Sequence, residues 1–327
     1  MRPDDAAIIN QRSLPVSVSP RMIEPIRRPP VNFDAFTREV SAGLESLYGE
    51  AAADDYRKKA PAAIVSSLTH PAVRAWVASE DGEARAMLVS AQRDGVGHIT
   101  FVHVLNPYIG QGLESELAET AVSELRSCGV SGISAEPVAL CALELDGVFA
   151  SLGFAKVERQ LMAAPLNAKP LCAALLTESV TADLRDYTRV GELIVDAYRG
   201  HPGRELHAEV RTLAGAEGFV RTAADGAYGQ TRPGFIRILR RVGRPVAAIV
   251  GCEAAPKIGF VLQVVVRPSE QGRGLGTQLM LELAHCFREA GLERIALGVT
   301  NDNPARRLYE RLGFRKILPV NAYVWWK

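Results

Sequence analysis

Apolar and polar positions change their period several times along the chain, and each change predicts an element. Phe33, Phe36, Val40, Leu44 and Leu47 recur at steps of three and four, which lines them up on one helix face. From Ala72 the pattern shortens, and residues 75–79, 84–91 (after the Glu80-Asp81-Gly82 turn) and 98–105 read as strands. Residues 113–128 return to a helical period. Ahead of all this, residues 1–30 carry prolines at 3, 15, 20, 25, 29 and 30. Proline removes a backbone donor and disfavours regular elements, so this stretch reads as an arm, flexible or hugging the surface.

The same order of elements then occurs a second time. Residues 109–129 read IGQGLESELAETAVSELRSCG and residues 271–291 read QGRGLGTQLMLELAHCFREAG. Gly110, Gly112 and Gly129 match Gly272, Gly274 and Gly291 at a constant spacing of 162 residues. Leu113, Leu117, Ala121 and Leu125 match Leu275, Leu279, Leu283 and Phe287, so the buried helix face is repeated too. A Phe149-Ala-Ser-Leu-Gly-Phe154 corner matches Tyr309-Glu-Arg-Leu-Gly-Phe314. The chain therefore reads as two tandem copies of one domain, joined near residues 167–181. Expected boundaries are 1–30 for the arm, 31–168 for the first copy and 178–327 for the second.

In the second copy an apolar run over residues 260–267 ends at Pro268, as a buried strand would, and Gln271-Gly-Arg-Gly-Leu-Gly276 opens an amphipathic helix. Such a turn leaves backbone N–H groups unpaired at the positive end of the helix dipole, which makes an anion site. A simple helix-start turn is the plainer reading of Gly-x-Gly alone. Two rival phosphate motifs fit worse: the dinucleotide fingerprint requires Gly or Ala where Thr277 stands, and the Gly-Lys-Ser/Thr of a Walker loop is absent.

Val266-x-Pro268-x-x-Gln271-Gly-Arg273-Gly274-Leu-Gly276, followed about 25 residues on by Asn301-x-Asn303-Pro-Ala305-x-x-Leu308-Tyr309-x-x-Leu312-Gly313-Phe314, resembles the GCN5-related N-acetyltransferase (GNAT) superfamily. Close resemblance covers residues 258–326, and at the level of fold it reaches back to about residue 180. It implies an α/β (α+β) fold with two GNAT-like domains, each a mixed, mostly antiparallel sheet flanked by helices. It also implies acetyl-CoA as co-substrate and direct acetyl transfer to an amine. The resemblance assigns the pyrophosphate to the turn formed by Gln271, Gly272, Arg273, Gly274, Leu275, Gly276 and Thr277. The pantetheine arm would run along Val264, Val265 and Val266 and meet Asn303, while Arg306 reaches the adenosine phosphates. Tyr309 would donate the proton to the leaving sulfur. Plainer readings stand beside these: Tyr309 as a half-buried helix tyrosine, and Arg273, Arg306 and Arg307 as a solvated helix face.

Family members often carry Glu or His on the strand before the turn, whereas Gln263 is the only polar side chain between Ile258 and Val266. A neutral amide takes no proton at useful pH. The base is then a water relay or one of Asp196, His201, Glu205 and His207, each of which also reads as a surface or capping residue. Tyr198 and Tyr228 are candidates to line the acceptor pocket. In the first copy, Ile109, Glu114 and Phe149 stand where the second has Gln271, Gly276 and Tyr309. Negative charge in the turn and a ring without a hydroxyl predict a degenerate copy kept for its interface or to shape the cleft.

Composition narrows the function classes. Lys plus Arg number 38 against 37 Asp plus Glu, a net charge of +1, so no global field draws the chain to nucleic acid or an anionic membrane. Any bound anion must be held locally. Five scattered cysteines form no C-x-x-C pair, which predicts that most are reduced core residues and that there is no metal site. Without a signal-type apolar segment or a run of about 20 apolar residues, the expectation is a cytoplasmic monomer or homodimer. The competing functional reading is a non-catalytic acyl-CoA sensor or scaffold.

Overall fold

The computed structural model describes residues 21–137, 143–173, 179–201, 204 and 206–327. The first half contributes β1 (Met22–Ile26), α1 (Phe33–Tyr48), α2 (Glu50–Thr69), β2 (Val73–Glu80), β3 (Glu83–Arg93), β4 (Val96–Val104), α3 (Leu113–Ser127), β5 (Gly132–Ala135), α4 (Leu145–Ser151), β6 (Ala155–Val157) and β7 (Arg159–Pro165). The second half contributes β8 (Val180–Thr181), α5 (Tyr187–Tyr198), α6 (Leu213–Ala224), β9 (Ile236–Arg241), β10 (Arg244–Ala255), β11 (Ile258–Val266), α7 (Leu275–Glu289), β12 (Arg294–Thr300), α8 (Arg306–Arg311), β13 (Arg315–Pro319) and β14 (Ala322–Trp326).

These strands form two seven-stranded sheets, ordered β1-β2-β3-β4-β5-β14-β6 and β13-β7-β12-β11-β10-β9-β8. Within each sheet one pair is parallel, β4 with β5 and β11 with β12, and the rest are antiparallel. The repeat extends to backbone irregularities. Thr100 is the extra residue of a bulge between Ile99 and Phe101, and Leu262 holds the same place between Val261 and Gln263, again 162 positions apart. Such bulges bend a strand and re-aim its side chains.

The halves exchange their closing strands. β7 lies between β12 and β13 of the second sheet, and β14 lies between β5 and β6 of the first. Tyr323 of β14 is buried in the first core, stacked on Phe149 at 4.5 Å between ring centroids. Met162 and Ala164 of β7 are buried with Leu279, Leu283 and Phe287 in the second core. Each core is therefore completed by the other half of the chain.

The proline-rich arm is more regular than its composition suggests. Met22–Ile26 pairs with β2 at the sheet edge, Pro25 opposite Trp76. An edge strand tolerates proline because one side of it has no ladder to complete. Residues 1–20 lie outside the described residues. No described helix is long and apolar enough to cross a membrane.

Candidate functional site

β11 and β12 pair only from Ile258–Arg294 to Val261–Leu297. Beyond that point β12 continues against β7, up to Thr300 opposite Arg159, while β11 continues against β10, up to Val266 opposite Ala247. The two parallel strands thus splay apart after the bulge and leave one edge of β11 open. Arg267 N–H donates to Val246 O across β10 at 2.8 Å, so two-residue alternation turns the N–H and C=O of Val264 and Val266 to the open side. Val265 turns its side chain into the core beneath α5 and α6, whereas Val264 and Val266 pack on the α7 side. An extended chain of matching polarity can add to such an edge.

The glycine turn closes the open end of this wedge. Gly272 (φ 75°) and Gly274 (φ 80°) adopt left-handed backbone, and no atom lies within 4 Å of where a Cβ would stand on either. Among the described residues, the N–H groups of Gly272 through Thr277 make no backbone hydrogen bond, and Gln278 N–H is the first to close onto Gly274 O (3.0 Å). Gln271 braces the turn by donating from Nε2 to Val266 O at 3.2 Å. Arg273 is exposed and lies 3.5 Å from Glu270. This cradle of free N–H groups at the start of a 15-residue helix suits an anion.

Asn303 spends Oδ1 on the N–H of Ala305 (2.8 Å), which holds the turn into α8. Arg306 donates to Asn301 O and pairs with Glu310 along its own helix. Tyr309 is buried, 5% exposed, with its ring 5.9 Å from Phe314. Burial, reinforced by neighbouring Tyr198, pushes its phenol far above the ordinary range, so it keeps its proton at any physiological pH.

On the opposite face of the wedge, at the end of α5, Tyr198 Oη lies 3.1 Å from Oε1 and 3.0 Å from Nε2 of Gln263. Burial raises the Tyr198 phenol, against the smaller opposing effect of the Gln263 bond. The His201 ring meets Tyr198 edge-on at 5.2 Å, and burial lowers its pKa against the pull of Asp302. Asp196 instead turns to Arg267 (3.0 Å) and Arg199 (3.3 Å). His207 lies 3.3 Å from Glu209, and Glu205 lies outside the described residues. Tyr228 is separated from Tyr198: its carbonyl accepts from Cys252, whose strand partner Phe260 lies at the closed end of the wedge.

Sequence reasoning did not single out Arg159, Thr300 or Glu209. Arg159 extends along the wedge wall, its Nη2 3.0 Å from the Cβ position of Gly298, and pairs with Glu136 of the first half. Thr300 Oγ1 beside it is buried without a hydrogen-bond partner. Nothing local in the sequence marks these positions, because β7 reaches them only through strand exchange. Away from the wedge, a groove of about 470 Å³ runs between α1 and α2, lined by Asp34, Arg38, Ala42, Glu45, Arg57 and Pro61.

The first half keeps the same backbone but not the same chemistry. β4 and β5 pair only from Val96–Gly132 to Ile99–Ala135, and Gly110 and Gly112 repeat the left-handed turn. Here Arg21 donates to Gln111 O (3.3 Å) and pairs with Glu116 (2.7 Å), so the turn hosts a cation. Glu114, in the place of Gly276, buries Oε2 without a partner.

A family model described as the acetyltransferase (GNAT) family matches residues 39–154 and again 196–314. The chain belongs to the GNAT acetyltransferase family. The two matches make it a tandem member, in line with the duplication read from the glycines. It is similar to the mycothiol acetyltransferase of Mycobacteroides abscessus, 48% identical over 69 residues, covering 21% of this chain and 23% of that protein. A longer match, 32% identical over 218 residues, joins 63% of this chain to 65% of the mycothiol acetyltransferase of Thermomonospora curvata. Both alignments span less than two thirds of those relatives. A GCN5-related N-acetyltransferase structure from Sphaerobacter thermophilus superposes with a TM-score of 0.66 at 18% identity, covering 93% of this chain and 95% of that one, which shows a shared fold. GNAT enzymes draw their acetyl group from acetyl-CoA.

Proposed function

We propose that the second half is an acetyl-CoA-dependent N-acetyltransferase unit acting on a primary amine, and that the first half is a non-catalytic copy. The observation that carries this reading is the open edge of β11 running directly into a cradle of unpartnered N–H groups. The edge suits the amide-bearing pantetheine arm, and the cradle suits the pyrophosphate at its far end. The first half has the same wedge, yet Arg21, paired with Glu116, already occupies its turn, and Glu114 puts a carboxylate where a pyrophosphate would sit.

In the proposed reaction the amine nitrogen attacks the thioester carbonyl, the C–S bond breaks, and Tyr309 supplies the proton to the departing sulfur. The raised pKa of Tyr309 keeps its O–H intact until that moment. A thiolate forming in the same buried space is itself raised, which narrows the gap between donor and acceptor. Asn303 would use its free Nδ2 on the pantetheine arm, and Arg273 and Arg306 would meet the phosphates from the rim.

Relatives named for mycothiol, and one from Nocardia farcinica named for L-2,4-diaminobutyric acid, guide the first acceptors to try. Release of CoA thiol, followed across amino sugars, amino acids and mycothiol-type amines, tests the proposal. Tyr309→Phe is expected to lower kcat by about 100-fold, the lower end of general-acid effects, while leaving acetyl-CoA affinity within a factor of about three. An unchanged kcat would remove Tyr309 from the mechanism. Acetyl-CoA binding without amine-dependent turnover across the panel would favour the sensor reading.

A further inference from the structure

β11 carries neither carboxylate nor imidazole between Ile258 and Val266, and Gln263, the one polar side chain there, is engaged with Tyr198. Asp196 is bound to two arginines. The acceptor face of the wedge therefore draws no negative charge from its own strand or from the end of α5. The segment between α5 and α6 carries one, which acts on Tyr198. A single 3₁₀ turn, Ala208–Arg211, carries Glu209.

This turn is gripped between α6 and the strand β14 that is exchanged into the first sheet. On one side, the carbonyl of Glu209 would stand 2.7 Å from a Cβ on Gly215, so the first turn of α6 presses directly on its backbone. On the other side, Leu206 packs with Ala322 and Val324 of β14, and the Arg211 guanidinium lies 3.6 Å from the centroid of a Trp326 ring. Val324 is in register with Ser134, and Ser134 with His98, so all three share the sheet face on which this segment docks. Glu209 is thereby held partly buried beside His207 (3.3 Å), within electrostatic reach of His98 from β4 and of Tyr198 from α5, on which Arg159, paired with Glu136, also acts.

We infer that Glu209 is the general base of the transfer, taking the proton from the acceptor ammonium before the nitrogen attacks. This rests on the acetyltransferase reading above. An R–NH3⁺ acceptor gives one proton to the Glu209 carboxylate, directly or through one water. The neutral amine forms the C–N bond, the C–S bond breaks, and the sulfur leaves with the proton of Tyr309. The nitrogen sheds its second proton as the amide forms, and that proton restores Tyr309 through water, while the proton on Glu209 passes to solvent. Burial works to raise the Glu209 pKa, but the His207 bond and charge, a backbone N–H and the His98 charge outweigh it and hold it below the ordinary glutamate range. The group is then ionised and ready to receive a proton at neutral pH.

The test compares the wild-type chain with Glu209→Gln and Glu209→Asp, using whichever amine of the panel gives most CoA release. The Gln variant keeps shape and hydrogen bonding, and acetyl-CoA affinity with the melting curve establishes that it folds. Glu209→Gln is expected to lose about 100-fold or more in kcat at pH 7, with Glu209→Asp retaining part of the rate. The deficit should shrink as pH rises past the acceptor's own pKa, where the amine arrives already deprotonated; a merely structural role would leave it constant. A Gln variant within about threefold of wild type, or a deficit independent of pH, overturns the assignment. Wild type inactive with every amine overturns the acetyltransferase reading itself, and Glu209 as base with it.

Discussion

Gly276→Glu places in the second turn the residue that the first turn carries at Glu114, and its effect can be worked from the structure. A Cβ on Gly276 would stand 3.5 Å from Leu308 Cδ2 and 3.8 Å from Val266 Cγ2, ordinary van der Waals contact. Gly276 lies in the first turn of α7, outside the left-handed glycines, so a side chain there costs no backbone strain and improves helix propensity by roughly 0.5–1 kcal/mol. Folding should survive. With a pyrophosphate seated on the Gly272–Thr277 amides, the new carboxylate lies about 5 Å from it. At an effective dielectric of about 20, each pair of unit charges then costs about 3 kcal/mol. Solvent reaches this turn, so a net loss of about 3 kcal/mol, or roughly 150-fold in Kd, is expected. Isothermal titration of acetyl-CoA into wild type, Gly276→Glu and Gly276→Gln separates charge from bulk. The Gln variant should bind within about tenfold of wild type, and equal affinities for the Glu and Gln variants would refute the electrostatic argument.

Three further outcomes follow from packing and ionisation. Tyr323→Ala empties the place where the exchanged strand stacks on Phe149 and should cost about 3–5 kcal/mol, seen as early melting of the first half; a loss under about 1 kcal/mol would deny β14 its role in that core. His103 is 1% exposed, and burial lowers its pKa despite the 3.0 Å bond to Glu39. Its contribution is therefore intact above about pH 6.5, the unfolded value, and is lost as pH falls below it, so a melting temperature that drops from there in wild type should drop less in His103→Gln. Burial pushes the Cys252 thiol up to about 12. Peptide mapping after brief alkylation should find the exposed Cys128 and Cys172 modified and Cys252 untouched until denaturant is added.

Much of the fold was legible because it is written in local periodicity. The Gly272 and Gly274 turn, the α7 face of Leu275, Leu279, Leu283 and Phe287, and their counterparts from Gly110 to Leu125 are short-range patterns that repeat at a fixed spacing. What stayed hidden depends on which strand pairs with which. Residues 155–165 read as the natural end of the first copy, and nothing in Arg159–Pro165 tells that it closes the other sheet. Strand exchange leaves no local mark, since β7 and β14 each bury apolar side chains whichever core receives them. The partner of Gln263 is Tyr198, 65 positions away, and no local pattern links the two. Glu209 was equally silent, because its setting is assembled from β4, β14, α5 and α6 together. The near-zero net charge requires any anion to be held locally, and the Gly272–Thr277 amides are a local means of doing so.

A crystal structure of the chain with acetyl-CoA tests the central claim most directly. The account predicts one acetyl-CoA per chain, with its pantetheine arm along Val264 and Val266, its pyrophosphate on the amides of Gly272 to Thr277, and its sulfur within hydrogen-bond reach of Tyr309. Acetyl-CoA bound instead in the first-half wedge, or lying away from the open edge of β11, would contradict it.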